Sequence, residues 1–472
     1  MKKEKIMGEQ NAYSKPVTLK NVMGFAVPTI AMSLFMSFYT MVDGLFVSNL
    51  IGTNALSAVN LTAPVIQLVT AISTMLATGG SAVIMKKMGE HKSQEAKEDF
   101  TFLILVNVVV GIIMCGLGYA VMDRIFAGMG LSPEVEGYCV AYLSCYLLFT
   151  VPILLMNNFT LYMIASEKAA LSLVCSVAGG VLNIVLDYVF IAVLNLGITG
   201  AADATGLGYS VTAVAGLWVF SRKKSLLHFK KPVLRLKVLA NAATNGCSEM
   251  ATALVTGITT MMFNWTMLRY VGEDGVAAVT IIMYVLMFAS SLYTGYSYGV
   301  APMLSYYYGE RSLEERRQEE AASRELEDKR EQAQTQGKLK ELVAISLKVI
   351  ACISMITVAA SFVLTKPLVS IFARPDNPVY DLAVTGNRIC TMALLFIGFN
   401  IFASGMFTAL SNGVVSAVLA FSRSFVFMMA AMIVLPMILG VNGIWLATPV
   451  AELMAIALSG FMFLRHRKRY GY

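Results

Sequence analysis

The chain has 472 residues, of which 57% are hydrophobic and only 14% are charged. This composition excludes a protein whose surface is mainly in contact with water. Apolar runs of about 20 residues, the length that crosses a bilayer as a helix, recur along the whole chain. Because these runs lack the alternating pattern of barrel strands, we expect an all-α integral membrane protein.

Charged residues and turn residues divide the chain into twelve apolar segments, each predicted to be one transmembrane helix. The predicted helices are 22–47, 55–85, 100–122, 138–164, 170–194, 200–221, 239–268, 276–306, 342–369, 384–409, 415–438 and 443–464. The polar N-terminus lacks a short apolar core followed by a cleavage site, so we expect no cleaved signal peptide.

The distribution of basic residues predicts how the helices are oriented. Most of the 36 lysine and arginine residues lie in the N-terminal tail, in every second loop and in the C-terminal tail. Basic residues stay preferentially on the cytoplasmic side of a membrane, so we expect both termini in the cytoplasm. The net charge of +7 then reflects this topology, and we expect no nucleic-acid partner.

An internal repeat relates the two halves of the chain. Gly79 and Gly89 align with Gly299 and Gly309 at one constant spacing, and several neighbouring residues align at the same spacing. Six helices per half bring both halves into the membrane from the same side, as in parallel repeats. We therefore predict two six-helix lobes, 22–221 and 239–464, around a central cleft.

The remaining segments are predicted to lie outside the bilayer. The cytoplasmic tails are 1–21 and 465–472, and a basic linker at 222–238 joins the lobes near anionic headgroups. A charged insertion at about 311–341 has no counterpart in the first half. We expect it to extend helices eight and nine as a solvated helical spacer.

Polar residues in the first lobe form a candidate cation site. Asp43 and Asp187 fall in the outer halves of helices one and five, and Thr205 lies at a similar depth on helix six. Tyr39 and Asn183 each precede one of these aspartates by four residues and so share its helix face. These groups suit Na⁺ or a shared proton. The alternative is that both aspartates only tie helices together.

The second lobe also carries ionisable residues within its apolar segments. Glu249 lies near the middle of helix seven, where it can titrate in the cleft or pair with Arg423. Arg423 and Glu452 fall at mid-depth, so a structural ion pair is the alternative. Asp203, near the outer end of helix six in the first lobe, is expected to reach outward to water.

The search for enzyme motifs finds one match, at Gly295-Tyr-Ser297-Tyr-Gly299, which fits GxSxG. A nucleophile elbow needs a strand-to-helix turn, whereas this match lies inside an apolar helix, so its glycines indicate close helix packing. Walker and dinucleotide motifs are absent from the sequence, and we expect neither ATP binding nor enzyme activity. The three histidines lie in charged connecting segments, and the seven cysteines are scattered, so we expect no resident metal.

Several segments together resemble the multidrug and toxic compound extrusion (MATE) family, over nearly the whole chain. The resemblance rests on Pro28-Thr29, Val42-Asp43-Gly44-Leu-Phe-Val47, Gly79-Gly80, Met88-Gly89-Glu90, Leu182-Asn183-Ile-Val-Leu-Asp187, Gly197-Ile-Thr-Gly200-Ala201, Asn245-Gly246-Cys247-Ser248-Glu249 and Gly443-Ile-Trp-Leu-Ala447. Two departures stand out. Gly44 replaces a threonine that is common in the family, and Asp203 replaces a small apolar residue.

The resemblance implies a secondary active antiporter that exports small cationic or amphipathic organic compounds by alternating access. H⁺ or Na⁺ is the implied coupling ion, with no other cofactor, in a monomer surrounded by lipid in a bacterial cytoplasmic membrane. By position, Tyr39 resembles a nearby hydrogen-bonding residue and Glu249 the acidic residue of the second lobe. The implied coupling site consists of Asp43, Asn183, Asp187 and Thr205.

Two alternatives come from other functional classes. A flippase for lipid-linked saccharides, within the same broad superfamily, is expected to need a cationic cleft for pyrophosphate, whereas the candidates here are acidic. An intramembrane enzyme needs a nucleophile and a base that converge, and the sequence indicates no such pair.

Overall fold

The computed structural model describes residues 13, 15–50, 53–129, 131–320 and 327–472. Within these ranges, the side chains at 43–50, 53–54, 56–57, 316–320 and 327–336 are not described. The described chain is helical almost throughout. Its helices form twelve spans, which we number α1 to α12.

Six spans make up the first half of the chain. They are α1 Leu19–Leu50, α2 Thr53–Gly89, α3 Ser93–Ala127, α4 Pro133–Leu148 with Thr150–Ala165, α5 Ala169–Asp187 with the π-helical turn Tyr188–Val193, and α6 Gly197–Ser221. Each span contains the core of one predicted transmembrane helix. The main differences are at the ends, where helices run on beyond the apolar segment into polar sequence.

Six further spans make up the second half. They are α7 Leu236–Tyr270, α8 Glu273–Glu320, α9 Glu327–Val363 with the short helix Thr365–Ser370, α10 Pro378–Cys390 and Leu394–Ala409 joined by the 3₁₀ turn Thr391–Ala393, α11 Gly413–Phe421 and Met428–Leu439 joined by the π-helical turn Ser422–Phe427, and α12 Val441–Tyr470. Of the described helices, ten are long and apolar enough to cross a membrane, or eleven with α4, which bends by 52° at its break; α7 is the span outside this count.

The two halves share local signals that fix where helices begin. α4 and α10 occupy equivalent positions in the repeat and both begin with proline. The preceding Ser132 or Asn377 accepts a hydrogen bond from a backbone N–H of the first turn. Gly197 and Gly440, which align in the repeat, both have positive φ angles, of 62° and 58°. Glycine adopts this conformation without the strain that a Cβ atom causes, so each allows the sharp turn into the next helix.

Glycines form the contact between the lobes at the end of the bundle where α1 begins and α12 ends, which we call the termini end. Gly79 of α2 lies against the backbone of Ala242 in α7, and Gly89 lies against that of Tyr306 in α8. Gly299 of α8 lies against α1. Because these contacts involve backbone atoms directly, the lobes approach as closely as two helices can. We call this contact the glycine seam.

The linker between the lobes is docked on the first lobe. The guanidinium of Arg235 donates hydrogen bonds of 2.8 Å to both Asp99 and Glu98 of α3. Asp99 is fully buried and also pairs with Lys87 of α2. The backbone N–H of Lys230 donates to Thr101 at 3.0 Å. The start of α7 is therefore held by a network of ions on the first lobe.

Two aromatic clusters complete the termini end. The ring of Tyr13, which is fully buried, stacks on Phe25 of α1 and on Tyr306 of α8, and its hydroxyl donates to the backbone oxygen of Ala165 at 2.7 Å. Tyr13 thus contacts both lobes. Tyr13 falls within the predicted cytoplasmic tail 1–21, where a single aromatic residue in a polar stretch does not reveal its packing partner.

The end of the chain also differs from the predicted tail. α12 continues past 464 to Tyr470, since the ring of Tyr470 packs on Phe407 and Tyr308 and its hydroxyl accepts a hydrogen bond from Asn412. In the predicted insertion, α8 extends to Glu320 and α9 starts at Glu327, while residues 321–326 lie outside the described chain.

Candidate functional site

A central cavity of about 380 Å³ lies between the two lobes, beyond the glycine seam as seen from the termini end. It is lined by residues of α1, α2, α4, α5 and α8. Its walls combine methionine side chains with small hydroxyl and amide groups, a surface that adapts to varied apolar molecules. Characteristic lining residues are Met32, Met36, Thr74, Asn157, Met287 and Tyr298. The sequence could not indicate which of the 30 methionines would line the cleft.

The first lobe brings Asn183 and Thr205 together. The amide of Asn183 donates a hydrogen bond of 3.3 Å to the hydroxyl of Thr205. This contact is possible because Gly179 of α5 and Gly208 of α6 meet backbone to backbone, leaving no room for a side chain between them. Asp187 follows Asn183 by one turn and is fully buried. Three of the predicted site residues therefore lie on the facing helices α5 and α6.

The carbonyl oxygen of the Asn183 side chain is buried and accepts no hydrogen bond from a described residue. Asn183 and the buried Tyr39 line a narrow cavity, whose other walls include Met36 and Met156. Because Met36 and Met156 also line the central cavity, the two spaces are neighbours. An oxygen atom of this kind, near Asp187 and Thr205, is a suitable ligand for a small cation.

Asp43, the other predicted carboxylate, is on α1, but its side chain is outside the described part of the structure. The predicted approach of Asp43 to Asp187 therefore stays a prediction. Asp203 is not part of this group. It lies two residues before Thr205, so it leaves α6 on the opposite side, near Cys145 of α4.

The second lobe separates its three ionisable candidates into a cavity residue and an ion pair. Glu249 lines a smaller cavity of about 40 Å³, which shares Tyr298 with the central cavity. Arg423 Nε donates a hydrogen bond of 2.8 Å to Glu452 Oε1. Among the described residues, the ion pair of Arg423 is therefore the one with Glu452.

The GxSxG match lies inside α8, and its two glycines contact α1. A Cβ atom on Gly295 would lie 2.6 Å from the Cα atom of Ile30, and one on Gly299 would lie 2.5 Å from the hydroxyl of Thr29. Ser297 between them is buried and lines the smaller cavity. The packing role predicted for these glycines agrees with this geometry.

Known proteins that match this chain come from the family that its sequence motifs resemble. The MatE family model matches residues 28–189. The multidrug export protein MepA of Staphylococcus saprophyticus is 22% identical over 447 residues, which cover 94% of this chain and 92% of the relative. MepA of Staphylococcus haemolyticus is 22% identical over 454 residues, covering 95% and 94%.

Solved structures of MATE transporters share the fold. One in complex with MaL6 has a TM-score of 0.87 at 21% identity and covers 97% of both chains. The outward-facing conformation of a multidrug resistance MATE family transporter of the MOP superfamily has a TM-score of 0.86 at 22% identity, also with 97% coverage of both. At these identities the structural likeness shows the fold.

The fold is that of a multi-pass membrane protein with its helices in two lobes, as predicted from the sequence, and it is shared with solved MATE transporters. The resemblance to the MATE family found in the motifs is confirmed by the match over residues 28–189, by the relatives and by the shared fold. The matched proteins are transporters and not enzymes, which agrees with the expectation for this chain.

Proposed function

We propose that this protein is a secondary active antiporter that exports small cationic or amphipathic organic compounds in exchange for H⁺ or Na⁺. It works as a monomer in a bacterial cytoplasmic membrane, with both termini in the cytoplasm. The observation that carries the proposal is the group formed by Asn183, Thr205 and the buried Asp187 beside the central cavity. The relatives named above are multidrug export proteins, which supports the substrate class.

The coupling follows from the cost of a buried carboxylate. An ionised Asp187 in an apolar lobe is costly unless a cation or a proton compensates its charge. Binding of Na⁺ or H⁺ at Asp187 and Asp43 therefore changes how α1, α5 and α6 pack. Because α1 also lines the central cavity, repacking of α1 alters the space available to the substrate. Substrate leaves to the outside, and the incoming cation resets the cleft.

The contact between the lobes supports an arrangement closed at the termini end. The glycine seam and the Tyr13 stack join the lobes there, while the central cavity lies beyond them. With the termini in the cytoplasm, this is the outward-facing half of an alternating-access cycle. Rocking of the lobes about the docked linker then opens the seam to the cytoplasm.

Efflux of a fluorescent organic cation from proteoliposomes tests the proposal. We expect Asp187→Asn and Asp43→Asn to abolish efflux, because an amide cannot exchange a proton or balance a cation. Asp203→Asn is the matched control: it removes a carboxylate from the same lobe but on the other side of α6, and it should keep efflux. Full transport by both Asp187→Asn and Asp43→Asn would refute the coupling mechanism.

The coupling ion is identified in the same vesicles. Efflux is measured with a Na⁺ gradient alone and with a pH gradient alone. Transport that depends on neither gradient would contradict secondary active antiport.

A further inference from the structure

The linker between the lobes is fixed to the first lobe at several points. Leu227 is fully buried, and the backbone N–H of Phe229 donates a hydrogen bond of 2.9 Å to the backbone oxygen of Phe220. Arg235, near the end of the linker, pairs with the buried Asp99. These contacts determine which side chains of the linker face away from the protein.

Three apolar side chains remain exposed although the linker is docked. Leu234 is 76% exposed and Leu236 is 67% exposed, on either side of the paired Arg235. Val233, next to them, is 40% exposed. A group of apolar side chains held outward on a docked segment indicates contact with lipid or with another apolar surface.

The linker also carries an excess of positive charge. Between Asp203 and Glu249 the sequence has no acidic residue. The two carboxylates of α3 that contact the linker, Glu98 and Asp99, are already paired with Arg235. Five exposed lysines of the linker form no ion pair with the described part of the chain; they are Lys223, Lys224, Lys230, Lys231 and Lys237. We call these five lysines and the three exposed apolar residues the linker surface.

Trp218 indicates the depth of the linker in the membrane. It is 58% exposed in the last turn of α6, and the Cζ atom of Arg222 lies 3.5 Å from the centroid of its ring. An exposed tryptophan with a basic neighbour at a helix end is typical of the boundary between hydrocarbon and headgroups. Arg222 is the residue that follows α6, and Leu236 begins α7. The linker surface therefore lies between two helix ends, at the depth of the headgroups.

Lysines at this depth attract anionic lipids, and apolar side chains beside them gain free energy by entering the interfacial layer. We propose that the linker surface binds acidic phospholipids of the leaflet at the termini end, with Val233, Leu234 and Leu236 inserted among the lipids. The depth indicated by Trp218 favours a lipid over a soluble acidic partner, which reaches the lysines only from the water side. This binding requires neither a substrate nor a coupling ion, so the inference is independent of the proposed function.

Quenching of tryptophan fluorescence by brominated lipids tests the proposal. The chain has three tryptophans, Trp218, Trp265 and Trp445. The reporter is Leu234→Trp in the full chain with Trp218→Phe and Trp265→Phe, while Trp445, which is 1% exposed, gives a constant background. The matched control keeps the native Trp265, which is 57% exposed on α7, in a chain with Trp218→Phe. Each protein is reconstituted in equal parts of phosphatidylglycerol and phosphatidylcholine, and either lipid carries the bromine atoms.

The ratio of quenching by the two brominated lipids measures the preference at each reporter. At residue 234 we expect phosphatidylglycerol to be preferred about fivefold or more, the enrichment given by one lysine near the headgroups. Replacing the five lysines by glutamine should remove the preference, whereas replacing them by arginine should retain it. The Trp265 reporter should show little preference, because Glu273 and Asp274 offset the charge of Arg269 in this part of the chain.

Several results would overturn the proposal. If neither lipid quenches the reporter at residue 234, the linker surface lies outside the bilayer. Equal quenching by both lipids shows insertion without recognition of acidic headgroups. A preference that persists in the glutamine variant, or an equal preference at Trp265, shows that the five lysines do not cause it. Inorganic phosphate is added as a competitor: if it removes the preference while chloride at the same ionic strength does not, the surface binds free phosphate and the assignment to lipid is wrong.

Discussion

Gly246 of α7 packs against the backbone of Met75 in α2, beside Gly79 of the glycine seam. Gly246→Ala should therefore open this seam. The new Cβ atom would lie 1.9 Å from the backbone oxygen of Met75, where an ordinary contact needs at least 3.4 Å. The opposing atoms are backbone, so no side chain can rotate away. The helices α2 and α7 must therefore separate by about 1.5 Å at this point, or the seam must come apart.

The size of the effect follows from two opposing terms. Overpacking of this kind costs about 1–3 kcal/mol. Alanine favours a helix over glycine by about 1 kcal/mol. If the lobes move as rigid bodies, α7 is helical in both the closed and the open arrangement, and this gain cancels from the equilibrium between the two. The overpacking cost remains and lowers the population closed at the termini end about 5- to 150-fold relative to the open one.

Spin labels at Gln94 of the first lobe and Lys468 of the second, in a background without the seven native cysteines, report the separation at the termini end. Pulsed electron spin resonance should show a longer distance in Gly246→Ala. Gly257→Ala is the matched control, because Gly257 is on the same helix with nothing within 4 Å of an added Cβ atom. An unchanged distance in Gly246→Ala, or an equal change in Gly257→Ala, would refute the reasoning.

Two further predictions concern the same end of the bundle. Tyr13→Ala removes a ring that stacks on both lobes, so it should lengthen the same spin-label distance. Tyr13→Phe keeps the stack on Tyr306 and should give a distance near that of the wild type. Equal effects of the two variants would contradict a role for the ring. Arg235→Gln removes the ion pair between Arg235 and the buried Asp99. This change should lower the free energy of unfolding in detergent by about 1–3 kcal/mol, which is measured as a lower midpoint of thermal unfolding. Lys237→Gln, close to it on an exposed position, should change little, and an equal loss there would argue against the ion network.

Much of the fold could be predicted from local sequence patterns. The twelve spans follow from apolar runs, because the bilayer requires about 20 apolar residues for each crossing. The equivalence of Gly197 and Gly440 was visible in the repeat, and both adopt the positive φ angle that a sharp turn needs. The ends of helices were less accurate. α12 continues to Tyr470 because distant aromatic residues pack on it, and such partners are not visible in the local sequence.

The candidate site was predictable only in part. Asn183 and Thr205 could be placed together because helix depth and spacing follow from counting residues. Asp203, which was expected to reach outward to water, lies on the other side of α6. The pairing of Arg423 with Glu452 involves the π-helical turn of α11. One extra residue in a turn rotates the side chain in a way that a regular helix does not predict.

Hydropathy and the internal repeat were enough to predict that the chain lies in a membrane, that it has two related lobes, and which few acidic residues fall within apolar helices. These properties follow from hydropathy, periodicity and the cost of charge in lipid, which are local or additive. The glycines that join the lobes, the methionines that line the cavity and the carboxylate that pairs with the arginine of α11 became visible in the folded arrangement. These contacts depend on how the helices rotate and approach one another. The rotation and approach are set by packing between residues far apart in the chain.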